Sequence, residues 1–83
     1  MITVITTPTC VWCNKVKKLL NDNNIPFQEW RPTSDEIRPL FHKLELSTVP
    51  QVFLDDPRHN EHAKLVGGYN QTFQAVNRGE LTA

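Results

Sequence analysis

Met1-Ile2-Thr3-Val4-Ile5-Thr6-Thr7-Pro8-Thr9-Cys10-Val11-Trp12-Cys13 opens the chain, and its reading decides the fold. Ile2 to Thr6 is rich in β-branched residues and reads as a buried strand. From Val11 to about Asn23 the pattern becomes helical, with Trp12, Val16, Leu19 and Leu20 recurring at i, i+4, i+7 and i+8 as the inward stripe. The only two cysteines therefore sit where a strand hands over to a helix. The first thiol, Cys10, falls at the helix N-terminus, where unpaired backbone N–H groups and the helix dipole favour negative charge. That setting lowers the thiol pKa and makes Cys10 a thiolate nucleophile. Cys13 lies one turn further on, within reach for a disulfide, so the segment reads as a dithiol redox site.

Composition narrows the alternatives. A chain of 83 residues is expected to form one domain over residues 1–83. A domain of this size buries only a little over ~60% of its unfolded surface, so its core is modest. Two cysteines three positions apart close too small a loop to staple a fold, which argues against the disulfide-rich secreted class. The start of the chain lacks a charged segment followed by a long apolar run, so no signal peptide is expected. No apolar stretch approaches the ~18 residues of a membrane span. A reducing cytoplasm is the expected setting, where a C-x-x-C pair is catalytic or metal-binding. A net formal charge of zero gives no case for nucleic acid. Lys15, Lys17 and Lys18, with no acidic residue before Leu20, form either a solvated helix face or a positive potential beside the thiols.

The rest of the chain completes an alternating pattern. Asn21-Asp22-Asn23-Asn24 ends the first helix and Pro26 prevents its resumption. Phe27-Gln28-Glu29-Trp30 reads as a second strand. Thr33 or Ser34 caps a second helix with Asp35 and Glu36 in its first turn. Pro39 kinks that helix or marks where it begins, and Phe41, Leu44 and Leu46 supply its apolar side. Gln51-Val52-Phe53-Leu54 is a third strand, residues 55–60 a polar turn region, and Lys64-Leu65-Val66 a fourth strand ended by Gly67-Gly68. Asn70 caps a last helix with Phe73 and Val76 inside and Gly79 as its stop. The order is β-α-β-α-β-β-α. The first βαβ unit is expected to be parallel and right-handed, and the last two strands an antiparallel hairpin.

Three short motifs stand in this frame: Cys10-Val11-Trp12-Cys13, Thr48-Val49-Pro50 and Gly67-Gly68-Tyr69-Asn70. With the element order they resemble the glutaredoxin family of the thioredoxin superfamily, over essentially the whole chain. The compact length is similar to the short dithiol glutaredoxins of bacteria and their phages. The resemblance implies a thioredoxin-like α/β fold with a four-stranded mixed sheet flanked by helices. It implies a glutathione-dependent thiol–disulfide oxidoreductase with Cys10 and Cys13 as catalytic thiols. It implies a cis Val49–Pro50 bond that leaves the Val49 backbone open to pair with glutathione as an added strand. Thr48, Val49, Pro50, Gly68, Tyr69 and Asn70 are the implied glutathione contacts, with the γ-glutamyl carboxylate at the last helix N-terminus. Trp12 is a supporting residue, as core on the helix stripe or as a surface shield for the sulfurs; Tyr69 serves the site or only packs.

The departures from the family pattern carry their own expectations. Val11 and Trp12 stand where the family often has proline and tyrosine. Asn70-Gln71 stand where acidic residues often follow the diglycine, removing a carboxylate for the glutathione ammonium. Thr6 and Thr7 stand where a lysine often precedes the first cysteine, leaving Arg38 or Lys43 to meet the glycine-end carboxylate. Glutathione is expected as reductant with no tightly bound cofactor. The expected partners are protein disulfides, ribonucleotide reductase among them, with no nucleic acid or membrane partner and a monomeric state. Two other readings share the motifs: a thioredoxin-like redoxin recharged by a flavoprotein reductase, and a glutathione-ligated iron–sulfur protein. A zinc site joining the cysteines to His59 and His62 is disfavoured, because His-x-x-His is tighter than the usual finger spacing, so no metal is expected.

Overall fold

The computed structural model describes residues 1–81. Seven elements follow in the expected order: β1 (Ile2–Ile5), α1 (Val11–Asp22), β2 (Phe27–Trp30), α2 (Ser34–Leu44), β3 (Gln51–Phe53), β4 (Leu65–Gly67) and α3 (Tyr69–Asn77). The sheet runs β2-β1-β3-β4. β1 and β2 are parallel, as a strand–helix–strand crossover requires, while β3 is antiparallel to both β1 and β4. The fourth strand contains Gly67 instead of stopping before it, and a register shift between Val52 and Phe53 bends its pairing with β3.

Strand alternation divides the sheet into two faces. Val4 pairs opposite Val52, and both lie in one buried cluster with Val16 and Leu20 of α1, Ile25, Ala75 of α3 and Leu81. The helical stripes match the sequence reading in part: Val16 and Leu20 are buried and Leu19 and Val76 partly buried, while Phe73 is exposed and Trp12 takes the surface alternative. In α1 the buried residues are Cys13, Val16 and Leu20, whereas Trp12 is 51% exposed. Cys13 lies one turn before Val16 on the face that packs into the core, with Cys10 capping the helix just ahead of it. In α3 the buried residues are Thr72 and Ala75, with Phe73 exposed. Small side chains there bring the helix close to the sheet, and Phe73 turns out to stack on Tyr69 at 6.0 Å.

The opposite face carries Thr3, Ile5, Gln51 and Phe53, all buried. Beside them a polar cluster closes the sheet. Gln28 donates to both Thr3 Oγ1 and Asp56 Oδ2 at 2.9 Å, and Arg58 forks onto Asp56 at 2.9 and 2.7 Å while lying 4.9 Å above the Trp30 ring. The hydrogen bonds from Arg58, outweighing burial, hold the Asp56 carboxyl down at about 2.

α2 begins at Thr33, not at Pro39. The Glu36 N–H donates to Thr33 Oγ1 and the Thr33 N–H donates to Glu36 Oε1 at 2.8 Å, a reciprocal capping box. The helix then runs through Pro39; the bond this proline cannot donate leaves the carbonyl of Asp35 on an exposed face, where the loss is tolerated. α3 is likewise capped earlier than expected, by Gly68 and not by Asn70.

One partly buried ionic group ties α1 to the edge strand β2. Glu29 Oε2 accepts from the Thr6 hydroxyl at 2.6 Å, from Lys17 Nζ at 3.0 Å and from Arg31 Nε at 3.1 Å. Burial pushes the Glu29 carboxyl up, but these three hydrogen bonds and the Lys17 charge outweigh it and pull it down to about 2. A carboxyl lowered on folding stabilises the fold above its unfolded value and loses that contribution as pH falls through its folded value. Glu29→Gln is therefore expected to lower the unfolding free energy by about 1–2 kcal/mol at neutral pH. In denaturant titrations the gap from the parent protein should close as pH falls from 4.5 toward about 2. A gap that stays constant over that window would show that the carboxylate charge is not what Glu29 contributes.

Candidate active site

The site forms where α1, the β3 entry and the start of α3 converge. Cys10 has extended backbone geometry and is the N-cap of α1. Its sulfur accepts the Cys13 N–H at 3.1 Å, so a backbone donor of the first helical turn points at it. The two cysteines are joined as a disulfide, with Cα atoms 5.2 Å apart. Their surroundings differ: Cys10 is half-buried, whereas Cys13 is 1% exposed and belongs to the inward stripe of α1.

Across from the sulfurs lies the loop entering β3. The Val49–Pro50 peptide is cis, as the motif predicts. The Cys10 sulfur is 3.7 Å from the Val49 carbonyl oxygen. Gln51 Nε2 donates to the Thr48 carbonyl at 2.9 Å and fastens the loop to the strand. The wall is completed by α3, whose first residue, Tyr69, packs its ring 5.3 Å from that of Trp12. Trp12 is thus a surface side chain of the site, and Lys15 Nζ lies 4.3 Å above its ring.

These elements enclose an open cleft of about 300 Å³ lined by Trp12, Thr48, Val49, Pro50, Gly68, Tyr69, Asn70 and Gln71. All six residues predicted as ligand contacts line it together. Arg38 and Lys43 do not, and Arg38 instead faces Asp35 at 3.8 Å. The lysines after the motif are mostly neutralised. Lys17 pairs with Glu29 at 3.0 Å and Lys18 with Asp22 at 2.7 Å, leaving Lys15 over Trp12 as the cation nearest the cleft.

Gln71 is the cleft residue that the sequence reading placed only as an absent acid. Its Oε1 accepts the Gly68 N–H at 3.1 Å. The signal was present in the sequence: a Gln three residues after Gly68 is the N3 position of a helix that Gly68, not Asn70, initiates. The diglycine also divides unequally. Gly67 has φ +125, and a Cβ there would fall 2.9 Å from Gln71 Cβ and Cγ. At Gly68 a Cβ would meet the Pro50 carbonyl oxygen at 3.5 Å, an ordinary contact.

The glutaredoxin family profile matches residues 2–58. The chain belongs to the glutaredoxin family. Glutaredoxin 1 of Rickettsia conorii is 33% identical over 84 aligned positions, covering 96% of this chain and 76% of that protein. Glutaredoxin 3 of Escherichia coli K12 is 27% identical over 82 positions, covering 96% of this chain and 90% of that one. The crystal structure of a buckwheat glutaredoxin–glutathione complex is similar in fold, with a TM-score of 0.75 at 26% identity, spanning 96% of this chain and 71% of that one. With its Cys10–Cys13 pair, this glutaredoxin is a thiol–disulfide oxidoreductase on a thioredoxin-like fold.

The two glycines give a direct check of this geometry. Gly67→Ala places a side chain in a left-handed conformation against Gln71 and is expected to cost about 1–3 kcal/mol. Gly68→Ala, at ordinary backbone angles and with room for a methyl, is expected to cost less than about 1 kcal/mol, mostly as a poorer cap. Thermal unfolding of the two variants compares them; equal losses would contradict the unequal roles.

Proposed function

We propose that this protein is a dithiol, glutathione-dependent glutaredoxin in which Cys10 is the nucleophile and Cys13 the resolving thiol. The carrying observation is the asymmetry of the pair: a half-buried Cys10 sulfur facing a helix N–H at 3.1 Å, and a Cys13 that is 1% exposed. A backbone donor aimed at Cys10 favours its thiolate over its thiol. In the reaction, the Cys10 thiolate attacks one sulfur of a substrate disulfide, forming a mixed disulfide and releasing the other sulfur as thiolate. Cys13 then attacks the Cys10 sulfur, releases the reduced substrate and leaves the Cys10–Cys13 disulfide. One glutathione thiolate opens this disulfide as a Cys10–glutathione adduct. A second removes the adduct as oxidised glutathione and returns Cys10 as thiolate.

In this reading glutathione lies in the cleft with its cysteine backbone along Val49 and its γ-glutamyl carboxylate at the N-terminus of α3, near Tyr69 and Asn70. Trp12 covers the sulfurs. The whole chain, residues 1–83, acts as one glutaredoxin domain and as a cytoplasmic monomer, with protein disulfides, ribonucleotide reductase among them, as substrates. Replacing Cys10 with Ser is expected to abolish all thiol transfer. Replacing Cys13 with Ser should spare part of the removal of glutathione from mixed disulfides, which needs one thiol, while stopping reduction of protein disulfides. Both are read in a coupled assay with glutathione and glutathione reductase; activity surviving in the Cys10 variant would refute the assignment.

A second reading has one observation in its favour. Asn70 carries no charge and the Gln71 oxygen is already occupied by Gly68, so the cleft offers no carboxylate to a glutathione ammonium. A redoxin recharged by a flavoprotein reductase would have no need of one. Comparing turnover with glutathione against turnover with thioredoxin reductase separates the two. In the glutathione reading, Asn70→Asp is expected to lower KM for glutathione roughly twofold to fivefold at low salt. The gain should shrink as salt is raised. An unchanged KM at low salt would mean that the ammonium is held elsewhere.

A further inference from the structure

Gln71 does more in this structure than fill a surface position. It is the N3 residue of α3, and its side chain folds back to take the Gly68 N–H at 3.1 Å. Its stem occupies the space beside Gly67, where any side chain on that residue would have to go. It also stands between two cavities. On one side is the redox cleft of about 300 Å³. On the other is a cavity of about 370 Å³ between α3 and β4, bordered by Leu65, Val66, Gln74 and Arg78. Among the residues lining these two cavities, Gln71 alone borders both.

We infer that Gln71 is a positioning residue for the thiol ligand: by holding the Gly68 N–H it fixes the Gly67–Gly68 turn and so aims the N–H groups of Tyr69 and Asn70 into the cleft. The first N–H groups of a helix have no partner within it, and one of their neighbours here, the cap N–H, is taken by a side chain of the same helix. That leaves the N–H groups of Tyr69, Asn70 and Gln71 as the donors for an anionic group, the first two nearest the turn. A side-chain acceptor at this place must be long enough to reach back three residues and must be an oxygen. Gln meets both conditions while adding no charge to compete with a carboxylate bound at the helix end. The role is indirect, through the turn, so Gln71 need not touch the ligand.

This inference rests on the glutathione reading above, and three substitutions test it. Gln71→Met fills the space without an acceptor, Gln71→Glu keeps both space and acceptor, and Gln71→Ala keeps neither. KM and kcat for glutathione are measured at high salt, where the added charge of the Glu variant is screened. The expected result is a KM raised roughly threefold to tenfold in the Met and Ala variants, with kcat held within about twofold. The Glu variant should return KM to near the parent value. Hydrogen exchange of the Gly68 amide supplies a readout that does not involve glutathione. It should accelerate by about tenfold or more in the Met and Ala variants and stay protected in the Glu variant. A Met variant with the parent KM, or with a protected Gly68 amide, overturns the inference. So does a loss confined to thermal stability. A parent protein that fails to saturate with glutathione instead overturns the glutathione reading, and with it the ligand part of this role.

Discussion

The structure turns on the place where the first turn of α1 meets the Cys10 sulfur. A helix begins by leaving backbone N–H groups without partners, and here one of them is answered by sulfur in place of the usual serine, threonine or aspartate oxygen. This cap sits at the head of a helix whose orientation is held by core packing of Val16 and Leu20. With Cys10 on the strand side, Cys13 points inward, and Val16 and Leu20 follow it into the core at helical spacing. The same orientation sends Trp12 outward to Tyr69. The hydrophobic face of α1, the aromatic wall of the cleft and the unequal exposure of the two cysteines all share one orientation of the helix, in which Val16 and Leu20 are fully buried.

The remaining elements hold this junction in register. β1 delivers Cys10 from the centre of the sheet and pairs with β2 and β3 on either side, so the start of α1 is anchored by an internal strand. The cluster of Thr6, Glu29 and Lys17 joins the end of β1, the neighbouring strand and the second turn of α1 within a span of 2.6–3.0 Å contacts. The β3 entry brings Val49 to the sulfurs, and α3 closes the remaining side. On the far face of the sheet, Ile5 and Phe53 are joined by the polar cluster of Gln28, Asp56 and Arg58. That fits a chain of this size, whose apolar core is shared by only a few side chains per element.

Much of this was legible in the residues. The element order, the sheet composition and the C-x-x-C at a strand–helix boundary follow from local pattern, because strand and helix periodicities differ and punctuation by Pro, Gly and Asn is strong. The cleft residues were legible only through the resemblance to glutaredoxins, since alone Thr48-Val49-Pro50 reads as a strand entry and Gly67-Gly68 as a turn. What the pattern did not carry was rotation. Trp12 and Phe73 fit an apolar stripe as well as Cys13 and Thr72 do, and hydropathy alone selects the larger residue; packing against the sheet selects the smaller. Thr33 was legible as the cap of α2, but the cap of α3 was misplaced for a related reason. Asn70 is the better capping residue in isolation, yet Gln71 reaching back to Gly68 satisfies the turn one residue earlier than Tyr69. Glu29 gave no signal at all from its own segment, since its partners Thr6 and Lys17 come from two other elements.

The burial of Cys13 gives the molecule a single port. A reagent arriving from solution meets the half-buried Cys10, because Cys13 is almost wholly removed from solvent. Events at Cys10 therefore depend on what collides with the protein and at what concentration. In the proposed mechanism, attack by Cys13 is intramolecular, so its rate does not depend on substrate concentration. A core position thereby separates encounter from closure.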